Sequence, residues 1–195
     1  MCHRMGIVIA MGVRAVFLVG FMGSGKNTVG QELARRLAWE FVDLDACIER
    51  RERQTIPDIF REKGEPAFRV AEASALRDLL SSLRRNSVVA LGGGAFAHAE
   101  NRELLRNWPS VFLDAPLDEL WLRCSQDASQ RPLGKDRKHF VELYWSRLPF
   151  YRESTVTVTT SGKELPSICS EIEGALRLGQ WPESLGSRES TGESQ

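Results

Sequence analysis

The sequence predicts a three-layer α/β/α fold, a parallel five-stranded sheet with helices on both faces. Three observations predict it. Short apolar runs of strand length recur along the chain. Stretches of helical periodicity lie between most of them, and the first run passes through a glycine cluster straight into the first helix.

In chain order, residues 15–19 (AVFLV) read as the first buried strand. Val29, Leu33 and Leu37 then recur at four-residue spacing, which puts one apolar stripe on a helix starting near Lys26. Residues 40–42 read as the second strand. Leu76, Leu79, Leu80 and Leu83 mark a helix before the third, at 87–91. Residues 110–113 are the fourth strand, followed by a helix carrying Leu117, Leu120 and Trp121, with Asp114 and Asp118 near its start. Residues 155–159 complete the set. Trp39 and Trp121 are both expected on helices.

Two segments break the alternation and read as long loops: 46–70, which is charge-rich, and 125–138, which is polar. The Ser/Gly/Glu-rich stretch 180–195 reads as a disordered tail. Residues 1–178 are therefore expected to form a single domain, with an excursion at about 44–75 and a lid at about 125–138.

Composition narrows the function classes. A chain of 195 residues can bury a core without a metal or disulfide staple. Basic and acidic residues balance at 26 each, which argues against a general nucleic-acid binder but leaves room for a local anion pocket. The four cysteines (Cys2, Cys47, Cys124, Cys169) show no metal-ligand spacing, and reduced thiols in the cytoplasm are expected. His3, His98 and His139 are too dispersed for a metal site. The apolar patch near the N-terminus falls far short of the ~20 residues of a membrane span, so no membrane partner is expected. No long exposed apolar stripe stands out, and a monomer is expected.

The chemistry begins at Gly20-Phe21-Met22-Gly23-Ser24-Gly25-Lys26-Asn27-Thr28. Glycines between a strand and a helix let backbone N–H groups wrap a phosphate, the helix start adds a positive dipole end, and Lys26 adds a mobile charge. This is the phosphate loop (P-loop) of nucleotide-binding enzymes, with one departure. The residue after the lysine is ordinarily Ser or Thr, whose hydroxyl meets Mg²⁺, and here it is Asn27. An amide oxygen can also ligate a hard cation. Thr28 lies one residue on and faces another direction.

From 16 to 159 the chain resembles the shikimate kinases. The resemblance is carried by the loop, by Asp43-Leu44-Asp45 with Ile48-Glu49, and by Phe60 with Gly64-Glu65-x-x-Phe68-Arg69. It continues through Leu91-Gly92-Gly93-Gly94-Ala95, Arg131-Pro132-Leu133 and Arg147-x-Pro149-x-Tyr151. Such patterns are weak singly; six in order are specific.

The resemblance implies transfer of the ATP γ-phosphate to the 3-hydroxyl of shikimate, with Mg²⁺. It gives Asp45 the acceptor hydroxyl's proton and Asp43 and Asn27 a place near the metal. Arg69 and Arg147 would hold the substrate carboxylate beside Gly92, Gly93 and Gly94. Lys26 and Arg131 would act on the transferred phosphoryl group. Gly23, Ser24, Gly25, Lys26, Asn27 and Thr28, with Arg123 and Arg131, would bind the nucleotide. From the residues alone, Asp43 and Asp45 are either ligand-facing carboxylates past a strand end or helix caps, and Phe60 and Phe68 are either pocket wall or core. Two other functions remain open: a kinase for another small molecule such as gluconate, and a nucleotide- and shikimate-binding protein impaired by Asn27.

Overall fold

The computed structural model describes residues 14–126 and 136–178. Strands β1 (Ala15–Val19), β2 (Glu40–Asp43), β3 (Ser87–Ala90), β4 (Ser110–Asp114) and β5 (Val156–Thr159) form one sheet in the order β2-β3-β1-β4-β5, and every pair is parallel. These are the five expected runs, each end shifted by at most one residue.

The central runs β1, β3 and β4 are mostly apolar because both faces of the sheet are covered there, whereas the edge strands β2 and β5 are partly exposed. In β1, Val16 and Leu18 enter one core with Val29 and Leu33 of α1 (Lys26–Leu37) and Ile168 and Ile172 of α7 (Leu165–Leu176). Ala15, Phe17 and Val19 enter the other core. There they meet Leu44 and Ile48 of α2 (Leu44–Glu52), Leu76 of α3 (Ile56–Ser82), Leu120 of α5 (Leu117–Gln126) and Phe140 of α6 (Arg137–Tyr151). Partly buried Leu104 brings α4 (Ala99–Leu104) to that side as well.

The segment expected as a long loop, 46–70, is instead helical, occupied by α2 and most of the first half of α3. Asp43 caps α2 and Thr55 caps α3, its Oγ1 accepting from the Asp58 N–H at 3.3 Å. The breakers that hid α3 are real but local. Gly64 takes φ 76°, ψ 173° and interrupts the helix, so Pro66 falls in the first turn of the restarted helix, where a missing N–H costs little.

The ends of the expected lid are also helical: Ser125 and Gln126 belong to α5, and Arg137 and Lys138 to α6. Arg131 and the expected tail, 180–195, lie outside the described residues. Trp39 is not on a helix. Ala38, at φ 53°, ends α1, and Trp39 packs partly buried in the connection to β2.

Leu33 is fully buried between α1 and the sheet. Leu33→Ala should lower the unfolding free energy by about 2–5 kcal/mol, read by urea denaturation. A loss well under that range would mean that α1 repacks around the gap.

Candidate functional site

The loop after β1 is shaped for an anion. Gly25 sits at the N-cap of α1 in the left-handed region (φ 84°), where an L side chain is strained, and it supplies no side-chain cap. The first amides of α1 are therefore left for an incoming ligand. Lys26 Nζ donates to the carbonyls of Gly20 and Phe21, each at 2.9 Å, and lies 3.5 Å from Ser24 Oγ. Ser24 is buried beneath the loop. Gly23 backs onto α5, where a Cβ would come within 2.9 Å of Cys124 Sγ. Arg123 lies beside the loop as expected: its Nη1 donates to the Gly23 carbonyl at 3.2 Å and its Nη2 pairs with Glu119 at 3.0 Å. Thr28 is exposed on the first turn of α1.

The two aspartates at the end of β2 differ in role. Asp43 is a cap: its Oδ1 accepts the Asp45 N–H at 2.9 Å. Its Oδ2 accepts from Asn27 Nδ2 at 2.6 Å, which ties β2 to the start of α1. Asp45 is aimed at the glycine triplet, and a Cβ on Gly92 would collide with its Oδ1. Gly93 in turn approaches the phosphate loop, a Cβ there lying 3.4 Å from the Met22 nitrogen. Loop, carboxylate and triplet thus converge at the carboxyl ends of β1, β2 and β3, where open α/β sheets hold ligands.

Beyond the triplet, two arginines share one face of Gly94. A Cβ on that glycine would lie 2.8 Å from both Nη1 and Nη2 of Arg69 and 3.1 Å from Arg147 Nη2. Arg69 comes from α3 and Arg147 from α6. Glu65 Oε1 accepts from Arg69 Nε at 3.2 Å and Nη2 at 2.9 Å, and Glu72 Oε2 accepts from its Nη1 at 3.0 Å. Arg147 Nη1 donates to the Gly93 carbonyl at 3.3 Å, and the Tyr151 hydroxyl donates to the same oxygen. Phe68 is buried beneath Arg69, with the guanidinium carbon 5.0 Å from its ring centre. Phe60 stacks on Phe68 at 4.6 Å but is more than a third exposed, so Phe68 is core and Phe60 reaches the surface.

The electrostatics follow from this crowding. Burial works against the charge of Arg147 and pulls its pKa down. His98, four residues past Gly94, is lowered first by burial and then by the Arg69 charge, with Arg147 and Arg102 adding to it. The hydrogen bond from Arg69 holds Glu65 below the usual glutamate range. Burial raises Glu72 despite its arginine partner. Two neighbouring guanidinium forks suit a small anionic ligand even with Glu65 and Glu72 on Arg69, and a carboxylate can take such forks bidentately.

Sequence reading missed Glu72, Asn101 and His98 as parts of this site. Asn101 Nδ2 reaches Glu72 at 3.4 Å and the Ala95 carbonyl at 3.0 Å. The signal available was the three-residue spacing of Arg69 and Glu72, which faces them together only on a helix.

Comparisons with known proteins point to one family. A family model described as shikimate kinase matches residues 22–177. The shikimate kinase of Persephonella marina is 43% identical over 166 residues, covering 85% of this chain and 100% of that protein. That of Enterococcus faecalis is 37% identical over 170 residues, covering 85% and 99%. Among solved structures, shikimate kinase from Acinetobacter baumannii in complex with shikimate superposes with a TM-score of 0.77 at 34% identity, covering 88% of this chain and 97% of that one. The Aquifex aeolicus shikimate kinase gives 0.71 at 33%, covering 85% and 98%.

Glu72 offers a test by pH. Its raised pKa means that, just above the ordinary value of 4.5, the folded protein keeps a proton that the unfolded chain has lost. Its contribution to stability therefore falls as pH rises through that window. Between about pH 5 and about pH 7, the urea midpoint of Glu72→Gln should change in the stabilising direction relative to wild type. Parallel curves would show that Glu72 is ionised throughout.

Proposed function

The chain belongs to the shikimate kinase family, and from that premise we propose how its residues carry out the transfer of the ATP γ-phosphate to the 3-hydroxyl of shikimate. The observation that carries the assignment is the pair Arg69 and Arg147 on the bare face of Gly94, with Asp45 and the phosphate loop on the other side of the triplet. That layout suits a ring with a carboxylate at one end and a hydroxyl at the other.

Arg69 and Arg147 hold the substrate carboxylate, and Gly92, Gly93 and Gly94 line the ring where side chains would collide with it. Asp45 orients the 3-hydroxyl and accepts its proton as the oxygen forms its bond to the γ-phosphorus. The bond from that phosphorus to the bridging oxygen breaks, and ADP departs with shikimate 3-phosphate left in place. The amides of Gly23, Ser24, Gly25 and Lys26 cradle the phosphates, with Thr28 completing that side. The Lys26 ammonium exchanges its loop carbonyls for phosphate oxygens. Arg123 flanks the adenine side. Arg131 is given the transferring phosphoryl group on its Arg-Pro-Leu context. Catalysis on this scheme is positioning and charge stabilisation.

The oxygen donors present suit Mg²⁺. Asn27, joined to Asp43 through its amide nitrogen, would offer the ion its amide oxygen beside Lys26. No group of three or more His, Cys, Asp or Glu forms a metal cage among the described residues, and Mg²⁺ ordinarily binds through one or two protein oxygens, waters and substrate phosphates. Asp43 already accepts on both oxygens, so it would serve the ion through water. When bound, Mg²⁺ neutralises charge on the β- and γ-phosphates. We read the protein as a cytoplasmic monomer; no described helix is long and apolar enough to cross a membrane, and Cys47 and Cys169 are free thiols.

Purified protein with ATP, Mg²⁺ and shikimate should release ADP at ordinary kinase rates. Asp45→Asn should lower kcat by about 10²–10⁴-fold. Arg147→Lys, which replaces a fork by a point charge, should raise the shikimate KM about tenfold or more. Protein that binds ATP but neither binds nor phosphorylates shikimate would sink the substrate assignment.

A further inference from the structure

Asn27 stands where the phosphate-loop pattern places a hydroxyl, and its side chain has already found a partner. The Nδ2–Asp43 Oδ2 separation is 2.6 Å. The nitrogen must face that carboxylate, because the reversed amide would set two oxygens against each other at that distance. The other oxygen of Asp43 takes the Asp45 N–H at 2.9 Å. One carboxylate therefore joins the first turn of α1, the end of β2 and the start of α2. A serine oxygen lies one bond from Cβ, whereas the amide nitrogen lies two, so serine would leave most of this gap open.

We propose that Asn27 is a positioning residue whose amide nitrogen locks Asp43, and through Asp43 the turn that carries Asp45, while the carbonyl oxygen of the same group is the one it offers the cation. A hydroxyl would have only a single atom for both demands; here the planar amide divides them between two. On this view the substitution is a compensated replacement, and the distance between β2 and α1 is set for it. This deepens the kinase reading and rests on it.

Asn27→Asp keeps the shape and one oxygen of the side chain but removes the donor. Loss of a supporting partner of this kind ordinarily costs about 10–100-fold, and that drop is expected in kcat. The shikimate KM should stay within about twofold, because Arg69 and Arg147 are untouched. Asn27→Ser should also lower kcat. A rise in kcat or in Mg²⁺ affinity on Asn27→Ser would overturn the proposal, since the amide would then be a handicap.

A second measurement needs no turnover. In ¹⁵N-labelled protein without nucleotide or shikimate, the Asn27 side-chain amide, identified by its loss in Asn27→Ser, should show one downfield, slowly exchanging proton. That signature should vanish in Asp43→Ala and survive addition of Mg²⁺ and ADP. Its disappearance on adding Mg²⁺ and ADP, or its persistence in Asp43→Ala, would overturn the proposal. If the wild-type protein failed to phosphorylate shikimate, the kinase reading would fall, and the amide signal would still decide for or against the lock.

Discussion

Two positive charges held side by side over Gly94 set the terms for the rest of the site. Arg69 and Arg147 can both approach because that position has no side chain, and they stay because acids and carbonyls surround them. Glu65 and Glu72 hold the α3 arginine, and the Gly93 carbonyl holds the α6 arginine. Buried Glu72 could not be ionised there at reasonable cost without its guanidinium and Asn101. On the proposed reading the pair takes the substrate carboxylate in addition to these partners.

The sheet does the gathering. With β1 between β3 and β4, the phosphate loop emerges next to the glycine triplet, and the β2 terminus delivers Asp43 and Asp45 on the far side of β3. The strand ends therefore gather residues far apart in sequence: Tyr151 and Gly93 lie 58 positions apart, and Arg123 and Gly23 lie 100 apart. Helices on both faces exclude water from the strands, which fixes the loops at their ends.

What the sequence disclosed follows the range of each interaction. The central strands were legible because burial on both faces leaves a nearly unbroken apolar run, and the phosphate loop because its chemistry is contiguous. α2 and the first part of α3 were not. Gly64 and Pro66 are breakers by composition, and only the backbone shows that one turn absorbs them both. Helix ends at Ala38 and Arg53 carry no glycine although both residues adopt positive φ. Glu72 and Asn101 lie 29 residues apart, and Asn27 and Asp43 lie 16 apart. The departure at Asn27 was visible in one dimension; its partner was visible only in three. Asp43 is a helix cap, one of the two readings of that carboxylate, and its place near the metal rests on the proposed function.

The break at Gly64 divides α3 into parts with different freedom to change. Arg69 lies past it, on the stretch anchored through Glu72 to α4, whereas Phe60 lies ahead of it, partly exposed, and touches the anchored part through its contact with Phe68. The exposed Pro57, Arg61, Glu62 and Lys63 can thus vary without touching Arg69, whereas Ile59 is core and Phe60 rests on Phe68 beneath that arginine. For anyone retailoring the acceptor specificity of this protein, that short helical arm is the adjustable piece, and the stretch beyond the glycine is the fixed jaw against which it is set.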